Sequence, residues 1–193
     1  DFDFQKAYNP YDFSGLRACE ARVWSFFRTF DKSMDKYKKH IMGDASEEPM
    51  PLYIIPDRKV SLADVREGMR NHYEGTELSM TNDPGAGVYK VPYRWRPMTF
   101  KSEGREYFNE RAIATQQTGF VLIAQMRSWL PDAVGGILWF GVDDANTAVL
   151  TPMYTSITEI PECYRRGNGS MTEFSWTSAF WIHNWVANMA YNR

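Results

Sequence analysis

Apolar residues recur at helical spacing from Leu16 to Phe30. Leu16, Cys19, Val23, Phe26 and Phe30 share one stripe, with Arg17, Glu20 and Arg22 on other faces. The pattern predicts a helix through about Phe30, with Ser14 as its N-cap. The charged stretch "DKSMDKYKKHIMGDASEEP" continues as a second short helix and breaks at Gly43. Leu52 to Ile55, "LYII", is a short strand candidate between prolines. Ser61 opens an amphipathic helix in which Leu62, Val65, Met69 and Tyr73 follow helical spacing. Ser61 and Asp64 form a capping-box pair with Asp in place of Glu. Residues 81–104 carry three Pro and three Gly and read as an ordered loop.

From Arg111 to about Ile160 the pattern turns to strands. Phe120, Leu122, Ala124 and Met126 alternate on one side, and Val121, Ile123, Gln125 and Arg127 on the other. "GGILWFGVDDANTAVLTPMY" is two apolar runs separated by Asp143, Asp144, Ala145 and Asn146, a hairpin signal. Ahead of these, "ERAIATQQTGF" runs into "VLIAQMRSWL" as two strands or one long bent one. Thr115, Gln116, Gln117 and Thr118 stand in its middle as an uncharged polar block, whose groups need partners if buried.

Ser175 is the expected cap of a final helix whose polar stripe is Thr177, Asn184, Asn188 and Asn192, amides rather than charges. The rest of its circumference is apolar, so it calls for cover on most sides. The layout is α+β, antiparallel strands covered by helices, in a single domain spanning 1–193. There is no internal repeat or low-complexity linker.

At 193 residues, such a domain buries roughly 70% of its unfolded surface. A hydrophobic content of 44% with 16% aromatics makes the chain globular. Lys and Arg total 22 against 24 Asp and Glu, a net charge of −2 that argues against a nucleic-acid or anionic-membrane partner. Phe174 to Asn192 is the longest stretch without an Asp, Glu, Lys or Arg, yet it holds too many polar groups for a membrane span. The start, "DFDFQKAYNP", is polar and lacks an initiator Met, so a processed chain or a piece of a longer one is expected. Location stays open between cytoplasm and export.

No phosphate loop, His-rich metal spacing or G-x-S-x-G elbow is present, and no cofactor or metal is expected. Cys19 reads as a small buried hydrophobe on its stripe, and Cys163 as a loop residue of open role. His40, His72 and His183 read as structural or solvated rather than catalytic. Asp143 and Asp144 could bind a metal or an amine, but at a hairpin tip the expectation is that they serve the turn. "NDPG", Asn82 to Gly85, is a turn. The uncharged Thr/Gln block beside Arg111 is the least ordinary feature, because a water-facing strand usually carries charge. It suits a carboxylate or a peptide amide. A different reading, a binding module without chemistry, rests on Trp95, Trp129, Trp139, Trp176, Trp181 and Trp185 as stacking platforms for sugars, or on a protein partner.

"ERAIATQQTGFVLIAQMRSWLPD", followed by "GGILWFGVDDANTAVLTPMY", resembles the PepD-like dipeptidases, a family of N-terminal-nucleophile cysteine hydrolases. "NDPGAGVYKVPYRWRP" and "YNPYDFSGLRACEARVW" resemble it too, so the likeness covers most of the chain. It implies an αββα sandwich and cleavage of dipeptides by an N-terminal cysteine thiolate, with its own α-amino group as base. Residue 1 is Asp, and neither Cys19 nor Cys163 can play that part. The chain is therefore expected to be an internal or C-terminal portion, inactive alone, completed by a missing N-terminal segment. Within it Arg111, Thr115, Gln116 and Gln117 are expected to line the substrate cleft, with Arg111 on the carboxylate and Asn82 as an oxyanion or amide contact. Uncovered apolar faces would favour a homo-oligomer.

Overall fold

The computed structural model describes residues 7–9, 11–94, 99–108 and 111–191. Trp95, Glu110 and Asn192, which carried expectations, lie outside them. The chain forms two compact units, Asp1–Ile113 and Ala114–Arg193.

In the first unit the chain becomes helical at Phe13–Gly15, passes through a π-helical turn at Leu16–Glu20, and continues as α1, Ala21–Phe30. Asp12, not Ser14, is the cap; its carboxylate accepts from the Gly15 amide at 2.8 Å. The π turn inserts a residue into the helical count and rotates the faces that follow. Ala21 and Trp24 therefore enter the core, whereas Val23, on the expected stripe, is exposed. Cys19, also on that stripe, is half-buried, with its Sγ 3.9 Å from the Arg22 guanidinium. The charged stretch becomes a 3-10 segment, Lys32–Tyr37, and a short helix, Lys38–Ile41. Gly43, at φ +113°, ends it where a Cβ would lie 2.5 Å from the Phe13 ring.

Ala21, Trp24, Met34, Tyr37, Ile41, Tyr73, Leu78, Met80 and Ala112 make up the core of this unit. The Trp24 indole N–H donates to the Met34 carbonyl at 2.8 Å, satisfying the one polar atom that this large side chain buries. The strand expected at Leu52–Ile55 is absent: Leu52 is 95% and Ile55 83% exposed, and the prolines at 51 and 56 deny the run its pairing partners. Helix α2, Leu62–Met69, has the expected capping box with both reciprocal bonds made. It stops at Met69, so Tyr73 leaves the helical stripe and takes a left-handed φ of +64°. Part of the expected 81–104 loop is instead a hairpin. Strand β1, Thr99–Ser102, pairs antiparallel with β2, Arg105–Phe108, across Glu103 and Gly104, both at positive φ.

The second unit is built on an antiparallel sheet in the order β3 (Phe120–Met126), β4 (Gly136–Val142), β5 (Thr151–Tyr154). Register places Leu122 opposite Phe140 and Ile123 opposite Trp139. The expected alternation holds, and Val121 and Ile123 supply the buried face. The β4–β5 connection is the one marked by Asp143 to Asn146. The last helix, α3, spans Ala179–Tyr191 and lies against β4. Its first turn begins at Ser178, whose carbonyl accepts from Ile182 at 3.1 Å; Ser175 instead closes the preceding turn and donates to Asn168. Helices with antiparallel sheets make the fold α+β, the content of a hydrolase sandwich.

Candidate functional site

The first unit holds Asn82 and Arg111. Asn82 is exposed on a turn whose amide donates to the Ser79 carbonyl at 3.3 Å. Next to it Asp83 caps the short 3-10 turn Pro84–Ala86, accepting from the Ala86 amide at 3.0 Å. Arg94 clamps this turn. Its guanidinium donates to the Asp83 carboxylate and, at 2.8 Å, to the Met80 carbonyl, so both sides of Asn82 are tied to one cation. Gly85 leaves room for it: a Cβ there would sit 2.6 Å from the Arg94 Nε, and the guanidinium would have to shift. "NDPG" is thus the turn its composition predicts, held by an arginine that the sequence did not single out.

Arg111 exposes its side chain, while its carbonyl accepts from the buried Tyr73 hydroxyl at 2.9 Å. The following residue, Ala112, is buried in the same core as Tyr73. Tyr73 sits in a heavily bonded loop. Its amide donates to the Asn71 side chain at 2.8 Å, its carbonyl accepts from the Thr76 hydroxyl at 2.7 Å, and the His72 carbonyl accepts from Met80 at 3.2 Å. Burial pushes the Tyr73 phenol well above its ordinary pKa. His72, also buried, meets Glu74 through Nδ1 at 3.0 Å. Burial alone would raise the Glu74 carboxyl, but hydrogen bonds from the His72 ring and amide outweigh it and hold the group low.

The second unit holds Thr115, Gln116 and Gln117. They form a turn, not a strand: Thr118 donates to the Thr115 carbonyl at 2.9 Å, and pairing starts only at Phe120. The Thr115 hydroxyl donates to the Gln117 side-chain carbonyl and lies 3.3 Å from that of Gln116. Thr115 and Gln116 are half-buried and Gln117 is exposed. A polar block is easier to satisfy in a turn than in a sheet.

Beside that turn lie two carboxylates whose setting the sequence misjudged. The Asp143 amide donates to the Gly119 carbonyl at 3.0 Å, so Asp143 and Asp144 share the sheet end with the Thr/Gln turn. They are buried, at 4% and 0% exposure, rather than carried on a water-facing tip. Asp144 does serve the turn, accepting from Asn146 at 3.1 Å. Asp143 takes a φ of +71°, accepts from the Asp144 amide at 2.9 Å, and leaves Oδ2 buried without a hydrogen-bond partner. Burial raises the Asp143 carboxyl; the hydrogen bond from the Asp144 amide works against this, the Asp144 charge adds to it, and His183 on α3 opposes it, with burial prevailing. No sequence signal separates a buried acidic pair from an exposed one at a hairpin.

Trp176 and Trp185, both exposed, lie 5.4 Å apart but are tilted by 43°, so they offer no coplanar platform for a sugar. Among the described residues, no three His, Cys, Asp or Glu gather as a metal site, and no helix is long and apolar enough to cross a membrane.

The model of Peptidase family C69 matches residues 1–193. "Probable dipeptidase B" of Lactococcus lactis subsp. lactis (strain IL1403) is 28% identical over 189 residues, covering 94% of this chain and 34% of that protein. "Probable dipeptidase" of Salmonella dublin is 27% identical, covering 80% of the chain and 30% of the relative. "Dipeptidase A" of Lactobacillus helveticus is 21% identical, with 87% and 30% covered. The chain thus spans about a third of the length of these curated relatives.

Proposed function

The chain belongs to peptidase family C69, and from that premise we propose that it is a portion of a dipeptidase, contributing substrate-binding wall rather than the nucleophile. The observation that carries this reading is the family match along all 193 residues, with relatives named as dipeptidases. The nucleophile is an N-terminal cysteine supplied by sequence outside these residues. Its thiol gives a proton to its own α-amino group, and its sulfur attacks the peptide carbonyl. The C–N bond then breaks as that proton passes to the leaving amine, and water hydrolyses the thioester to release the acid. Cys19 is unsuited to the part, being half-buried inside a π-helical turn, and Cys163 sits mid-chain on a 3-10 turn.

Arg111 takes the dipeptide carboxylate, since its guanidinium is exposed and its backbone is fixed from behind. Asn82 offers an amide for the developing oxyanion from a clamped turn. Thr115, Gln116 and Gln117 hydrogen-bond the peptide unit.

The test is dipeptide hydrolysis by the full natural chain. Replacing its N-terminal Cys by Ala abolishes turnover; full activity in that variant refutes the nucleophile. Arg111→Ala and Gln117→Ala each raise KM, by about tenfold for the charged contact. Unaltered kinetics in both would remove the cleft from these residues.

A further inference from the structure

One contact in the first unit reaches a candidate substrate residue from behind. The Tyr73 ring is 1% exposed, packed in the core with Leu78, Met80 and Ala112, and its hydroxyl donates to the Arg111 carbonyl at 2.9 Å. The Tyr73 backbone is itself in the left-handed region, at φ +64°, which a bulky side chain rarely adopts. Such a conformation persists only where its surroundings hold it, and here they do: the Asn71 side chain takes the amide and the Thr76 hydroxyl takes the carbonyl. The loop is thus fixed first, and Tyr73 carries that rigidity out to residue 111.

Packing alone does not need the hydroxyl, since a Phe would fill the same volume. The hydroxyl's described hydrogen bond is the one to the Arg111 carbonyl, with the Arg17 and Arg22 charges near enough to act on the phenol. A backbone carbonyl so fixed, with Ala112 buried immediately after it, sets the direction in which the exposed Arg111 side chain leaves the surface. A bidentate pair between guanidinium and carboxylate tolerates little angular error, so this direction bears on affinity and on discrimination.

We propose that Tyr73 is a positioning residue, whose buried hydroxyl orients Arg111 toward the carboxylate of a dipeptide. This rests on the reading of Arg111 as the carboxylate ligand, so the experiment separates the two.

The full natural chain is assayed on a dipeptide and on the same dipeptide with its carboxylate converted to an amide. The ratio of the two kcat/KM values reports recognition of the carboxylate, and it does not depend on how much of a variant is folded. Arg111→Ala collapses the ratio. Tyr73→Phe lowers it by about three- to tenfold, the size of one hydrogen bond's worth of alignment. The double variant matches Arg111→Ala alone, because Tyr73 acts only through Arg111. A ratio unchanged in Arg111→Ala overturns the carboxylate assignment, and the proposal with it. A ratio lost in Arg111→Ala but kept in Tyr73→Phe overturns the positioning role alone. So does an additive loss in the double variant, which would place the effect of Tyr73 elsewhere.

Discussion

Asp143 shows at the scale of one residue what a strand-end position does to a charge. Its carboxyl is raised above the ordinary 3.8, first by burial. A folded-state pKa above the unfolded one gives a stability contribution that is complete below pH 3.8 and is lost as pH rises through the raised value. At neutral pH the ionised Asp143 therefore costs stability, and its unpartnered Oδ2 adds to that cost. Asn stays neutral, keeps the acceptor for the Asp144 amide, and tolerates the positive φ. Asp143→Asn is expected to raise Tm at pH 7 by a few degrees, with the gain vanishing as pH falls toward 4. An equal or lower Tm for the variant at pH 7 contradicts this account of the site. Tyr73 bears on alkaline behaviour in the same way. With its phenol raised above 10 by burial, its contribution is complete below pH 10 and is lost above it. Tyr73→Phe should flatten the alkaline fall in Tm measured from pH 9 to 11. Neither residue was legible as special. Tyr73 continued the spacing of Leu62, Val65 and Met69, and Asp143 looked like an ordinary turn acid. Sequence periodicity reports a face; it does not report the depth at which that face ends.

At the scale of elements, caps and turns were legible and faces less so. The Ser61 and Asp64 box was readable because it is local: both of its bonds join residues three apart. Ser61→Ala is expected to cost about 1 kcal/mol in urea unfolding, the usual worth of an N-cap. The Asn82 turn was readable as a turn, but its clamp was not, because Arg94 acts from eleven residues away on Asp83. That pair is largely shielded on the arginine side, at 8% exposure against 31% for Asp83. Arg94→Met takes the cation from the acid, which keeps only the Ala86 amide, and the side-chain donor from the Met80 carbonyl, and is expected to cost about 2 kcal/mol. Urea unfolding with a loss below about 0.5 kcal/mol, the range of an exposed pair, would show that the clamp is not closed in solution. The π turn at Leu16–Glu20 explains the other failure: one extra residue in the helical count moved Trp24 inward and Val23 outward. The Thr/Gln block became a turn for a reason visible only in register, since β3 starts pairing at Phe120 and leaves 115–119 outside the ladder.

At the scale of the molecule, the second unit leaves two apolar surfaces to solvent. On the sheet, Phe120, Leu122 and Met126 of β3 are 60%, 48% and 76% exposed, and Leu138 of β4 belongs to the same face. On α3, Trp185, Val186 and Met189 are also exposed, on a helix without a charged residue. A sheet with one solvated face normally alternates apolar with polar, yet this row is apolar on both sides of the strand. Such a row fits a strand whose two faces are both covered, and the chain matches about a third of its relatives' length. Taken alone, the 193 residues should bury that row against copies of themselves. Sedimentation is expected to give a weight-average mass that rises with concentration. The double substitution Leu122→Glu, Met126→Glu should hold it near the monomer mass, with circular dichroism unchanged, because both side chains already face water. A monomer at every concentration up to the solubility limit would mean that the exposed row is not adhesive. The apolar pattern of β3 would then need an explanation other than a missing cover.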